Sequence, residues 1–357
     1  MMFLINDLVV KEHICNMHCT YCLTSTSNLK KAGTEKAQER ASLHYQDGSV
    51  LQKQLDNVTS TVHHIFQTPI LKISGGEILL ISGLTDYLKK HAPNYKVVQI
   101  LTNGLLLDDQ ILMEFRKIGN ICMQISLDHH TLEGNQYRTA KQKDLDQVLL
   151  NLDKAVHYEI PVEINCVLHN KNTHILNDYV KYLAKYDDKI TLFPFPIRGA
   201  EKVSFFPEKE QLRGLSDVLK SYQLYKGILP PKPYLERLLC FLEIGVRDIP
   251  CVFPRIAIGS FDDGNITPCA NYWFTCLCNI LHEREPEKIA ETVEQAGIYH
   301  VLLSKHMLLN ECRTCFTPWD ILNLYAEGEI SLDEVCSIPI YANPEVRQIL
   351  KKCLAKG

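Results

Sequence analysis

The sequence predicts an α/β protein, a partial (β/α)6 TIM-like barrel followed by a small C-terminal α+β domain. Two observations predict it. Between residues 5 and 197, short β-rich runs alternate with stretches of helical periodicity, the order of a parallel sheet with right-handed crossovers. Polar or glycine residues then end successive runs, at the edge where parallel βα folds carry their chemistry.

The runs are NDLVV at 6–10, ILKIS at 70–74, VVQILTN at 97–103, ICMQISLD at 121–128, VEINCVLH at 162–169 and KITLFPF at 189–195. Each interval has room for a helix, near 47–66, 84–91, 108–117 and 143–156. Six units rather than eight predict a barrel that stays open. After Arg198 the pattern changes: 208–223 reads as helix, GILPPKP at 227–233 as a proline-rich turn, and 240–315 is short, irregular and rich in cysteine. The expected organisation is a barrel over 1–200, a helical linker over 201–245, a small domain over 246–335 and a helical tail over 336–357.

Composition narrows the function classes. The 357 residues are 46% hydrophobic, enough for a sizeable core. Acidic residues number 42 against 38 Lys and Arg, with no long run of either sign, so broad attraction to nucleic acid is not expected. The apolar start MMFLINDLVV meets Lys11 and Glu12 before it is long enough to span a bilayer or act as a signal peptide, which predicts a cytoplasmic protein. Fourteen cysteines in such a chain point to metal ligation rather than a disulfide framework. Cys122 and Cys166 lie inside apolar runs and are expected to fill the core.

The first cysteine group, CNMHCTYC, spaces Cys15, Cys19 and Cys22 as Cys-x3-Cys-x2-Cys. Three thiolates so close can hold three irons of a cubane and leave the fourth iron open. Zinc is the competing metal, with His18 as its fourth ligand. SGGE at 74–77 follows the second run, and a glycine pair there also suits a plain tight turn. Asn103 ends the third run, Ser126 and Asp128 the fourth, and Arg138 follows in EGNQYR; their donors and acceptors suit hydroxyls and a carboxylate.

CNMHCTYC, with Tyr21 before its last cysteine, resembles the signature of the radical S-adenosylmethionine (SAM) superfamily. That resemblance, which extends over roughly residues 5–320, implies a SAM-cleaving enzyme. Its 4Fe-4S cluster on Cys15, Cys19 and Cys22 binds the methionine part of SAM. Electron transfer then yields a 5′-deoxyadenosyl radical that abstracts a substrate hydrogen. It further implies that the Tyr21 backbone contacts adenine and that Gly75, Gly76 and Glu77 meet the SAM amino group. Asn103, Ser126 and Asp128 would meet the ribose, and Arg138 the SAM carboxylate. The same resemblance implies a reducing partner such as flavodoxin or ferredoxin. SLDHH departs from the family's SLDG, and His129 and His130 are expected to be exposed loop residues.

A second cysteine group follows. Ile256–Gly259, a turn at Asp263-Gly264 and Asn265–Pro268 read as a β-hairpin between Cys251 and Cys269. Cys312 and Cys315 form a Cys-x2-Cys knuckle before a helix expected to begin with Thr317 as N-cap and Pro318 first. The layout resembles the twitch domain, a shortened SPASM domain. That implies Cys251, Cys269, Cys312 and Cys315 as ligands of a second, auxiliary 4Fe-4S cluster, with zinc as the alternative. Ile321 stands where the full SPASM pattern has its next cysteine, so a further cluster is not expected. Cys276 and Cys278 could replace a ligand, and with Cys240 they are candidate hydrogen-atom donors.

For the substrate, the resemblance favours a ribosomally made peptide undergoing crosslinking, epimerisation or oxidation. The alternative is dehydrogenation of a sugar- or cyclitol-like molecule; a non-catalytic iron-sulfur or zinc protein is the alternative of another class. Because the chain begins almost at the first barrel strand, a separate peptide-recognition protein is the expected partner in the peptide case.

Overall fold

The structure is a computed structural model that describes residues 3–10, 15–22, 48–198, 202–269, 271–272, 275–283 and 285–354. Lys11 and Glu12, which set the limit of the apolar start, lie outside the described residues. No helix among the described residues is long and apolar enough to cross a membrane.

The six runs form six strands, β1 (Ile5–Val9), β2 (Ile70–Ser74), β3 (Val97–Thr102), β4 (Ile121–Ser126), β5 (Val162–Leu168) and β6 (Ile190–Pro196), all parallel to their neighbours. Helices α1 (Gly48–Phe66), α2 (Leu84–His91), α3 (Asp109–Ile118), α4 (Gln142–His157) and α5 (Leu176–Leu183) fill the crossovers. Local signals set their ends. Asp108 caps α3 by accepting from the Ile111 N–H at 2.8 Å, and Gly119 stops it in the left-handed region at φ 87°.

Strand alternation divides the side chains. Leu71, Ile73, Val98, Ile100, Met123, Ile125, Ile164 and Leu168 are buried on one face. The register aligns Asp7 with Lys72 and Gln99, and Gln124 with Glu163, on the other. Gln99 of β3 reaches Glu163 of β5, so the sheet curls and this polar face is its inside.

The C-terminal region does not stand apart. The expected hairpin forms as β7 (Ala257–Phe261) and β8 (Asn265–Thr267), turning at Gly264 with φ 84°, and β9 (Cys278–Asn279) extends it. Strand β7 also pairs in parallel with β1, so the sheet order is β6-β5-β4-β3-β2-β1-β7-β8-β9. The edge of β1 would otherwise leave a row of backbone donors and acceptors unpaired. Residues 208–223 are broken into short turns around α6 (Arg213–Lys220), and the following proline-rich turn leads into α7 (Lys232–Ile244). The helix after the knuckle, α8 (Asp320–Glu327), starts later than expected. The Thr317 hydroxyl accepts from the Trp319 N–H at 3.2 Å, while the Asp320 carboxylate accepts from the Thr317 N–H at 2.8 Å, which tightens the entry into a turn. The chain ends in α9 (Pro344–Leu354).

Before α9, the Ile340 N–H donates to Glu163 Oε1 at 3.2 Å and so ties the C-terminal segment to the barrel interior. Burial raises the Glu163 carboxyl from 4.5 to about 7, against hydrogen bonds from the Ile340 N–H and Gln124 Nε2 that lower it. Folding therefore favours the protonated acid. Its contribution to stability is complete below pH 4.5 and is lost as pH rises through 7. We expect Glu163→Gln to lose less stability than the parent between those limits, by up to about 3 kcal/mol. Denaturant titrations across the interval check this, and identical pH slopes would refute it.

Candidate functional site

The C-terminal ends of β1 to β5 converge on the first cysteine group. Strand β1 runs into it, and the Val10 N–H donates to the Ser74 carbonyl of β2 at 2.7 Å. Here the chains are so close that only glycine fits at 75. Its φ is 149°, and a Cβ would lie 1.9 Å from the Val10 oxygen.

Glu77 is buried and its carboxylate is fully engaged. It accepts from the Thr102 hydroxyl and the Asn103 N–H, each at 2.7 Å, and from the Leu79 N–H at 3.1 Å. Of the SGGE segment, Glu77 is thus the staple that joins the end of β2 to the end of β3, and it leaves the glycine backbone as the part open to a ligand. Asn103 donates to Asn16 Oδ1 at 2.7 Å, lies 3.9 Å from the Cys15 sulfur, and accepts from the Leu105 N–H at 3.0 Å.

Asp128 is the hub of the other side. Completely buried, it accepts from Arg138 Nη2 and the Val167 N–H, both at 3.0 Å, and from the Tyr21 hydroxyl. Burial by itself would raise this carboxyl, but Arg138 first, then His169 and Tyr21, outweigh burial and hold it at about 2. The expectation that Asp128 itself meets a ribose is therefore at odds with its engagement: its acceptors serve the protein. Arg138 is 9% exposed, which excludes a solvated helix-face charge. Its Nη1 reaches the Cys19 sulfur at 3.9 Å, its guanidinium lies 5.6 Å from the Tyr21 ring centre, and its buried Nε has no partner among the described residues. Ser126, half-buried and paired in register with Asn165, keeps a hydroxyl that bonds no described group.

Cys15, Cys19 and Cys22 are all half-buried. Burial raises the Cys15 thiol and takes Cys19 to about 11, so metal binding here must release protons. The donor set fits a cluster that binds a small anion. It comprises three thiols, a glycine backbone edge and one orphaned guanidinium N–H.

His129 and His130 are not exposed loop residues. His129 is 2% exposed, its ring accepts from the Thr131 N–H at 3.1 Å, and it stacks at 4.5 Å on His130, which lies 4.2 Å from the Tyr182 ring. The pair packs on α5 because Gly134 leaves space; a Cβ there would meet the His129 ring at 2.5 Å.

The second cysteine group also converges. Cys251, Cys269, Cys312 and Cys315 line one cavity, together with Arg247 and Trp319. No three His, Cys, Asp or Glu side chains among the described residues are placed to hold a single metal ion. Cys276 and Cys278 are absent from that lining. Cys276 lies 3.3 Å from Asn265 Oδ1 and 3.2 Å from the Cys278 carbonyl, in the β8–β9 corner. Cys240 sits by Asp248 at 3.9 Å, in a charged group with Arg237 and Glu329. The structure thus brings together the triad with its strand-end partners, and separately the four later cysteines, but not the three hydrogen-donor candidates.

Three groups escaped the sequence reading. Asn165, with a buried Oδ1 that has no described partner, and His169, beside Asp128 at 3.7 Å, follow on β5. Lys72 lies 3.9 Å from Asp7 and 4.3 Å from the Trp319 ring centre, linking the barrel interior to the cavity wall. One polar residue at the centre of each apolar strand was the available signal.

Residues 10–183 match the family model described as Radical SAM superfamily. Neomycin C epimerase of Streptomyces fradiae is 26% identical over 244 residues, 68% of this chain and 69% of that one. Among solved structures, Streptococcus suis SuiB bound to S-adenosylmethionine superposes with a TM-score of 0.59 at 14% identity, over 97% of this chain and 77% of SuiB. Native anSMEcpe with AdoMet and the Kp18Cys peptide gives 0.55 at 18%, over 98% and 99%.

Gly75→Ala is expected to lower stability by at least about 2 kcal/mol and to abolish SAM binding, whereas Gly297→Ala, with nothing within 4 Å of its added Cβ, should change neither. Thermal melts and equilibrium SAM binding check both.

Proposed function

Because this chain belongs to the radical SAM superfamily, we propose that its enzymatic task is to take a hydrogen atom from a carbon of a polar small molecule. In this reading Cys15, Cys19 and Cys22 hold one 4Fe-4S cluster. Cys251, Cys269, Cys312 and Cys315 hold a second, in a region of the twitch type. The observation that carries the reading is the buried, unpartnered Nε of Arg138 beside Cys19. Bound together, the first cluster and SAM supply a 5′-deoxyadenosyl radical.

The chain's own residues do the placing. Arg138 offers its free N–H to the SAM carboxylate, charge-assisted and shielded from water. The Gly75–Gly76 backbone receives the amino group, since no side chain intervenes. Ser126 and Asn103 line the ribose side, and the Tyr21 backbone the adenine side. Asp128 and Glu77 act through others: the first holds Arg138 and Tyr21, the second holds Asn103 and the glycine turn. A reducing partner such as flavodoxin or ferredoxin supplies the electron.

A saccharide-like substrate is supported by the inner face of the sheet, where Ser74 and Ser126 end β2 and β4, Asn165 lies mid-β5 in register with Ser126, and the Asn165 oxygen is buried without a partner among the described residues. Likeness in sequence to neomycin C epimerase, a sugar-modifying enzyme, points the same way. Peptide modification, with a separate recognition protein, is supported by the fold it shares with SuiB and anSMEcpe. Deuterium transfer from a labelled sugar or peptide into 5′-deoxyadenosine separates the two.

After anaerobic reconstitution, dithionite and SAM are expected to yield 5′-deoxyadenosine, and Arg138→Met to reduce its formation at least about tenfold, since a buried charge-assisted bond is worth about 1.5–3 kcal/mol. An intact first cluster that yields none would refute the assignment. Replacing Cys15, Cys19 and Cys22 by Ala should leave about four irons per chain; finding none would remove the second cluster.

A further inference from the structure

The four-cysteine cavity is held by a buried ion pair that no motif announces. Arg247 is 4% exposed and Asp320 is completely buried. Arg247 Nη2 donates to Asp320 Oδ2 at 2.9 Å and its Nε donates to the Cys315 carbonyl at 2.7 Å, and its charge acts on the Cys251 thiol, which lines the same cavity. Its own N–H donates to the Arg313 carbonyl, between Cys312 and Cys315, at 2.7 Å. Asp320 accepts in addition from the Thr317 N–H and from Asn323 Nδ2, each at 2.8 Å, and Asn323 Oδ1 accepts from the Val252 N–H at 2.8 Å. One network therefore reaches Val252 beside Cys251, and Arg313 and Cys315 of the knuckle.

Position and charge have separate consequences. As a clamp, the network brings Cys251 and the knuckle to one cavity before any metal arrives. As a charge, Arg247 lines the same cavity as the four sulfurs, where a positive group stabilises whatever gains an electron. Asp320, on the far side of the guanidinium, offsets that charge. Net charge and hydrogen bonds to the sulfurs are the protein's means of setting a cluster's potential.

We propose that Arg247 and Asp320 are positioning residues that set the electron affinity of the group held by Cys251, Cys269, Cys312 and Cys315, Arg247 raising it and Asp320 lowering it. This rests on the second-cluster reading. A purely structural role would move iron content or stability, and has no reason to move the potential in opposite directions.

The test uses the full chain with Cys15, Cys19 and Cys22 replaced by Ala, so that only the second cluster titrates. Redox titration followed by electron paramagnetic resonance gives its potential. Arg247→Gln is expected to make reduction about tenfold less favourable, a shift of about 59 mV to the negative for one electron. Asp320→Asn, which keeps the shape and removes the charge, is expected to shift it positive by a similar amount. Iron retained with unmoved potentials, or with shifts of the same sign, overturns the proposal. If Arg247→Gln binds no iron, the Asp320→Asn shift decides alone: positive upholds the proposal and any other result overturns it. If both are empty, Arg247→Lys decides: a potential unmoved from the parent's upholds the charge, and a negative shift or loss of iron overturns it. Should the triple-alanine parent itself hold no iron, it is the second-cluster reading that has failed.

Discussion

Strand β1 is paired in parallel on both sides, with β2 and with β7. Everything chemical depends on that position. The chain leaves β1 directly into Cys15–Cys22, and leaves β7 into the hairpin that ends at Cys269. Two cysteine groups more than 200 positions apart in sequence are consequently attached to neighbouring strands of one sheet. Backbone pairing, satisfied on each edge, fixes their relation without relying on side-chain contacts. Lys72, whose β2 backbone pairs with β1 and whose ammonium lies over the Trp319 ring, adds a side-chain link between the same two regions.

What the sequence made legible was whatever repeats. Short β-rich runs separated by helix-sized intervals placed six strands to within a residue or two, and cysteine spacing picked out two groups that the fold gathers separately. The β1–β7 pairing was not legible, because AIGSF reads only as one arm of a local hairpin and nothing local names a partner some 250 residues away. Roles were harder than positions. Glu77, Asn103 and Asp128 were found at strand ends, but whether a carboxylate meets a ligand or a neighbouring N–H depends on what else is buried there. His129 and His130 were misjudged for the same reason: two histidines in a turn look solvated until Gly134 and Tyr182 are seen to cover them.

The polar centres of the strands show how such a barrel tolerates buried charge. Asp7, Lys72, Gln99, Gln124 and Glu163 share the inner face, and each would be costly alone. Together they partner one another, and burial keeps Glu163 protonated above the ordinary range of a carboxyl, outweighing the hydrogen bonds and the Lys72 charge that act against it. The network is also where the C-terminal segment attaches, through Ile340. Polarity inside the barrel therefore serves closure of the fold as well as a ligand.

Each cysteine group has its own buried arginine–aspartate pair, Arg138 with Asp128 and Arg247 with Asp320. A buried pair contributes little net stability, because desolvation offsets most of the attraction, so its value must be sought in what the arginine touches. Each guanidinium reaches its own cysteine group, Arg138 at the Cys19 sulfur and Arg247 at the Cys315 carbonyl. They differ in what remains unused: Arg138 keeps a buried N–H without a described partner, whereas Arg247 is bonded to Cys315 and Asp320 and leaves no buried side-chain donor unpartnered among the described residues. Three cysteines beside an unspent donor make a site that still has a ligand to receive; four cysteines around a fully spent one make a site that is complete. That difference is what supports the proposed division of labour, SAM at the first group and electron transfer at the second.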